Sequence, residues 1–333
     1  MASASTSGSA SSFADVQTAI INFLTTHGWT DQSSNVAGSR VLSKGDLFLR
    51  IGNNATNLWF YPGTGRDGSG VLTGRPQNGL NDNDGVKMAS PAISPIVFPI
   101  SYEIIWHDDP KEEVYVVISY GGDKYQHANW GESDIAGIGG TGMWMTGAFR
   151  TDYTADSDVN YSKMFIGGYN ENNGRGYIEV TPYSGFNGGY FYEGDQYSYM
   201  ASYVHHGLEA ATNGWYNNWA YSNSGVRGLA LRQYADMLML ALPSSFNEAE
   251  VLMPVMVSLR RPDGVVTPVV SARHARKLRI DNVQPGEIIT YGGDQWKCFP
   301  LYAKNTAQRD GVGWATGANH SGTIGVAIRM PGA

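Results

Sequence analysis

Apolar residues recur at clean helical spacing in one place, between Ser12 and Gly28. Phe13, Val16, Ile20, Phe23, Leu24 and His27 fall on one face of that helix. Ser12 stands as its N-cap, Asp15 lies in the first turn, and Gly28 supplies the left-handed residue that ends it. After Trp29 the period changes. "RVLSKGDLFLRIG" (Arg40–Gly52) and "NLWFYPG" (Asn57–Gly63) are short β-rich runs broken by turn residues. "PIVFPISYEIIWH" and "EEVYVVISYGGDKYQHANWG" predict a hairpin joined through Asp108–Lys111, with "VYVVISY" the strongest strand in the chain. "EVLMPVMVSLRR", "VVTPVVSARHARKLRI", "EIITYGGDQWKCFPLYAKN" and "GTIGVAIRM" predict further strands. Periodicity does not separate strand pair from helix for "LALRQYADMLMLALP". The fold class expected is mainly β, sandwich or barrel-like, with one short N-terminal helix and minor α+β character.

Four stretches organise the chain. Residues 1–12 are Ser/Ala/Gly-rich, expected to be disordered or ordered only against a neighbour. Residues 13–150 hold the helix and a β-rich domain, residues 151–225 a Gly/Asn/Tyr-rich region of loops and short strands, and residues 226–333 a second β-rich domain. Gly63–Gly85 reads as a long polar loop, too polar to order itself. Partners would have to order it, with Arg66 and Arg75 as polar anchors at an interface.

Composition narrows the function classes. Charged residues make up 16% of the 333, against about 25% in ordinary globular proteins. Glycine (42), tyrosine (20) and tryptophan (9) are abundant, giving a neutral, turn-rich surface suited to protein contacts. A net charge of −7 argues against a nucleic-acid binder, and the densest basic stretch, "SARHARKLR" (Ser271–Arg279), reads as the solvated face of a strand. A single cysteine excludes an intrachain disulfide and suits a reducing cytosol. The N-terminus has neither the basic segment nor the apolar core of a secretion signal. Apolar runs such as Met237–Leu242 and Val251–Leu259 fall short of the ~20 residues of a membrane helix, so no membrane association is expected.

Candidate chemistry is sparse. Tyr120-Gly-Gly-Asp and Tyr291-Gly-Gly-Asp fit β-hairpin turns better than a phosphate cradle, which would need a following helix and lysine. Cys298 has no His or Asp partner close in sequence and reads as a small core residue. His205 and Glu209 would share a face if their segment were helical, yet no third metal ligand is legible beside His206. "DSDVN" (Asp156–Asn160) begins like a calcium loop but has Tyr161 and Gly167 where glycine and an acid belong, and "NDNDG" fails similarly. No nucleophile elbow, Walker motif or dinucleotide fingerprint occurs. No catalytic residue, cofactor or metal is assigned. In the aromatic middle, Trp215 and Trp219, or Tyr190, Tyr192 and Tyr197, could stack on sugar rings of a host-surface glycan.

The helix leading into "HGWT", the central "EVYVVISYGGDKYQHANWGESDIAG…GG…W…GAFR" and the terminal "GEIITYGGDQWKCFPLYAKN…GVAIR" together resemble virion structural proteins of tailed bacteriophages. The resemblance spans Phe13–Arg329. It implies a tail, baseplate or neck component, synthesised and assembled in the host cytoplasm, homo-oligomeric and in contact with other virion proteins. It transfers no catalytic residue. A receptor- or glycan-binding tail protein is the alternative, and a glycan-degrading tail enzyme a third.

Overall fold

The computed structural model describes residues 2–75, 86–90, 95–133, 142–150, 159–161, 202–205, 215–216, 227–230, 251–260, 266–280, 282–300, 303–304 and 324–332. The chain opens with β1 (Ser3–Ala10) and α1 (Phe13–Thr25). Next come β2 (Thr30–Ser33), β3 (Ser39–Lys44), β4 (Leu47–Asn53), β5 (Asn57–Gly63), β6 (Gly65–Arg66), β7 (Leu72–Thr73) and β8 (Val86–Ala89). The middle supplies β9 (Ile100–His107), β10 (Glu113–Tyr120), β11 (Lys124–Glu132), β12 (Met143–Arg150), β13 (Val159–Tyr161), β14 (Ser202–His205) and β15 (Trp215–Tyr216). It closes with β16 (Arg227–Ala230), β17 (Met253–Arg260), β18 (Val266–Arg279), β19 (Ile288–Tyr291), β20 (Asp294–Pro300) and β21 (Ile324–Arg329). The protein is mostly β, with one helix among the described residues.

Helix α1 forms where the periodicity places it. Ser12 is extended, and its side chain accepts from the Asp15 N–H (3.1 Å). Asp15 reaches back to the Ser11 N–H (2.9 Å) and hydroxyl (2.8 Å), and these bonds hold its carboxyl below the usual range. Phe13, Val16, Ile20 and Leu24 are buried, and Gly28 takes the left-handed φ of +87°.

Three antiparallel sheets stack into layers. The central sheet runs β1-β9-β10-β11-β12-β14-β15, with β13 also on β12. Strand alternation sorts its side chains. Val114, Val116 and Ile118 of β10, with Trp106, Ile104, Ala128 and Trp130 beside them, point toward α1 and the sheet β2-β3-β4-β5-β8. Glu113, Tyr115 and Val117, with Ile105, His107, His127 and Asn129, point the other way, toward the sheet β16-β17-β18-β21-β20-β19. A single hydrophobic cluster runs through all three layers, from Ala10 and Phe13 through Val116 and Trp130 to Val270, Phe299 and Ile328.

Side-chain amides complete backbone ladders between layers. The Gln126 carbonyl accepts from the Ala89 N–H (2.7 Å) while its NH2 donates to the Ala89 carbonyl (2.8 Å). A glutamine thus stands in for a peptide unit at the end of β8.

Several expectations are corrected here. Residues 3–10 are not disordered: β1 pairs with β9 from Ser3 against His107 to Ala10 against Ile100, because the edge of β9 lies within the same chain. The loop expected at Gly63–Gly85 orders its first part unaided. In the β6–β7 hairpin, Asp67 accepts from the Ser69 N–H (2.9 Å), the Ser69 hydroxyl (2.8 Å) and the Val71 N–H (2.8 Å). Leu72 meanwhile packs on Val41 and Tyr61. Residues 76–85 lie outside the described residues, as does most of "LALRQYADMLMLALP".

Both Tyr-Gly-Gly-Asp elements are hairpin turns. Tyr291 pairs with Asp294 across Gly292 (φ +61°) and Gly293 (φ +87°). Tyr120 pairs with Lys124 instead, so Asp123 joins the loop after Gly121 and Gly122. Cys298 is fully buried among Leu278, Ile280, Val283, Trp296 and Ala327.

Replacing Ser12 by Ala removes the N-cap and should lower stability by about 1 kcal/mol in urea unfolding. An unchanged midpoint would show that packing alone fixes the start of α1.

Candidate functional site

Two consecutive glutamates at the entry to β10 point to opposite faces of the central sheet, and both are buried. Unpaired carboxylates there would be costly, so each must be saturated with donors. Glu112 faces the helix layer. Its Oε1 accepts from the indole N–H groups of Trp29 (2.6 Å) and Trp106 (2.5 Å), and its Oε2 accepts from Lys44 Nζ (2.7 Å). Burial pushes this carboxyl up, against the pull of Lys44 and the two indoles.

Glu113 faces the C-terminal sheet, where β18 is irregular. Pro254 pairs with Arg276 but Val255 pairs with Ala272, so Arg273, His274 and Ala275 have no opposite number on β17. Such a bulge exposes backbone N–H groups inside the protein. Glu113 takes two of them, Arg273 N–H at Oε1 (2.7 Å) and His274 N–H at Oε2 (2.9 Å). The Tyr115 hydroxyl donates a third bond to Oε2 (2.6 Å). Burial raises the Glu113 carboxyl, and burial together with the adjacent Glu113 raises Tyr115 well above its ordinary value.

The bulge also sets His274 against His107 of β9. Their rings stack, with centroids 3.9 Å apart and planes 10° from parallel. The bonds they make cross over: His107 Nε2 donates to the Arg329 carbonyl on β21 (2.9 Å), and His274 Nε2 donates to the Asp109 carbonyl after β9 (2.9 Å). A carbonyl only accepts, so both rings carry their proton on Nε2. Burial lowers His107 from 6.5 to about 4. Burial, then the charge of His107, lowers His274 to about 3. Further along the same interface, buried His127 bonds the Pro300 carbonyl (2.8 Å), and burial lowers it to about 4. Lys297 reaches across to Glu103 (2.5 Å).

This constellation fastens sheets. Each imidazole is neutral at neutral pH and each carboxylate is surrounded by donors. Among the described residues no group of three His, Cys, Asp or Glu side chains could hold a metal ion.

The residues singled out in the sequence lie elsewhere. Arg66 bridges the carbonyl of Ser33 in its own chain (2.9 Å), with a second bond to the Ser33 hydroxyl (2.8 Å). Arg75 is half-buried just after β7. Trp215 lies in β15, paired with His205 on β14. Trp219, Tyr190, Tyr192 and Tyr197 lie outside the described residues, as do His206, Glu209, Asp156 and "NDNDG". The helical premise for a His205–Glu209 metal pair fails, because Ser202–His205 is a strand. "SARHARKLR" is a strand as expected, but not merely a solvated face: His274 and Lys277 are buried on it. Sequence reasoning passed over Glu112, Glu113, His107 and His127. The one available signal was an acidic pair opening the most apolar strand.

Neither a family model nor a curated protein matches the sequence.

Glu113→Gln puts an NH2 group where one bulge N–H must find an acceptor. It should cost about 1–3 kcal/mol in urea unfolding, and a neutral result would mean the bulge does not depend on the carboxylate.

Acid should weaken the fold. The three histidines bind protons in the unfolded chain near 6.5 but in the folded chain only near 4 or 3, so stability falls as pH drops through that window. Glu112 and Glu113, raised in the folded state, act in the opposite direction and blunt the loss. The melting temperature should fall from pH 7 to pH 5, and His274→Gln should flatten that slope; a flat wild-type profile would contradict the histidine assignment.

Proposed function

We propose that this chain is a non-enzymatic structural subunit of a tailed-bacteriophage particle, in its tail, baseplate or neck. It acts by assembling with copies of itself and with other virion proteins, in the host cytoplasm, and needs no cofactor. The observation that carries this reading is the use made of the buried ionisable groups. Glu112, Glu113, His107, His127 and His274 are all engaged in tying one sheet to another, through bonds of 2.5–2.9 Å. A catalytic group instead faces a cleft that substrate can enter, whereas these five side chains are buried between layers. A rigid layered β body with few charges suits a subunit whose work is contact. Val97 (77% exposed), Ile288 (49%) and Tyr291 (63%) add apolar surface of the kind that contacts cover. The resemblance of the central and terminal segments to virion proteins supplies the setting.

The receptor-binding alternative draws on Trp215, Trp219, Tyr190 and Tyr192, and a glycan array tests it directly. The assembly role is tested on particles and on the isolated chain. Tagged chain should appear at one fixed position in electron micrographs of purified particles, and light scattering of the isolated chain should detect self-association. A chain that is absent from particles and monomeric at high concentration would overturn the proposal.

A further inference from the structure

Resting on the assembly role proposed above, we propose that the outer edge of β1 pairs antiparallel with β1 of a second copy. A two-fold axis at Thr6 would then join two central sheets into one continuous sheet.

The geometry begins with the ladder to β9. The Asp108 N–H donates to the Ala2 carbonyl (3.1 Å), which makes Ala2 and Asp108 a hydrogen-bonded pair. Antiparallel alternation then turns the backbone groups of Ala4, Thr6, Gly8 and Ala10 toward β9. Those of Ser3, Ser5, Ser7 and Ser9 point outward. Among the described residues no strand pairs with that outward side. The register of β1 is unbroken along its whole length, so the outward groups form a regular row.

Exposed edges of this kind are normally defended by charge, proline or a bulge. Ser3–Ala10 has none of these. The edge strand β2 differs: it carries Asp31 in a bidentate pair with Arg40, and Arg66 occupies the Ser33 carbonyl at its end. β19, the edge of the C-terminal sheet, is only four residues long. β1 is therefore an undefended edge of eight residues.

It is also held in place. The Ala2 N–H donates to Asp108 Oδ1 (3.0 Å) at one end, and Ser11 is bound to Asp15 at the other (2.9 and 2.8 Å). The Tyr102 ring covers Gly8, where any added Cβ would lie 2.6 Å from the phenol oxygen. The edge is thus presented in pairing geometry before a partner arrives.

Its composition selects the partner. Recognition of a foreign strand takes specificity from pockets that receive alternate side chains. A strand of Ser, Ala, Thr and Gly offers no such pockets, and Ser5, Ser7 and Ser9 are exposed. A two-fold axis places each residue against its own kind, which penalises any charged edge. Here Ser3 meets Ser9 and Ser5 meets Ser7 of the second copy, with Thr6 against Thr6, and no charge is opposed. The second copy is the complementary strand.

The test uses the full chain in analytical ultracentrifugation. Wild type should sediment as a dimer or larger even-numbered species. Ser7→Pro removes an outward N–H and leaves the bonds to β9 intact, so it should weaken the dimer at least about tenfold without lowering the melting temperature of the monomer. Ser5→Lys, which keeps the backbone unchanged and sets two like charges across the axis, should weaken it in a salt-dependent way, and it decides the matter should Ser7→Pro fail to fold. A wild type that assembles while both variants assemble equally well would overturn the β1 interface but leave the assembly role standing. A wild type that stays monomeric would overturn the β1 interface, and the assembly role falls with it when the chain is also absent from particles.

Discussion

Glu113 meets a need that the chain creates more than a hundred residues away. The bulge at Arg273–Ala275 breaks the ladder between β17 and β18 and leaves backbone donors inside the protein, where each unpaired group would cost about 1–3 kcal/mol. One carboxylate, one bond per oxygen, accepts two of them and in doing so fixes how the C-terminal sheet sits on the central one. That placement brings His274 onto His107, carries the Arg329 carbonyl within reach of His107, and sets Pro300 over His127. Tyr115 both satisfies and shields the carboxylate. Shift the bulge by one residue and His274 can no longer stack on His107, since alternation would turn it to the other face.

Polar side chains play the same part on the opposite face. Glu112 gathers Trp29, Trp106 and Lys44 from three different segments, and Gln126 imitates a strand at Ala89. The layers are thus not held by apolar packing alone, which is adaptable and tolerates sliding. Directional bonds specify one arrangement. The same bonds make the body sensitive to acid, because neutral imidazoles packed face to face beside Arg276 and Arg329 have little room for a proton.

Local grammar carried much of this fold. The helix from Phe13 to Thr25 follows from its apolar spacing, Ser12 and Gly28, and the two Gly-Gly turns follow from the positive φ that hairpins demand. The strands from Ser39 to Gly63 and from Ile100 to Glu132 are likewise legible, because alternation and turn residues act over a few positions. Two segments misled for one reason. Ser3–Ala10 and the stretch after Gly63 are poor in large apolar residues, so composition alone suggests disorder. Yet β1 is ordered by the edge of β9, and the β6–β7 hairpin by Asp67 and by Leu72 packing on Tyr61.

The β class, the helix at Phe13–Thr25, the hairpin turns and the packing role of Cys298 are legible in the chain's local pattern, since each depends on a few neighbouring residues. Only the tertiary structure decided which charged and imidazole groups matter. Glu113 and His274 are far apart in the chain, and nothing around either one announces the other. Their pairing comes from the stacking of sheets, whose registers are set by long-range strand pairing and by one bulge, and no local pattern encodes such a contact.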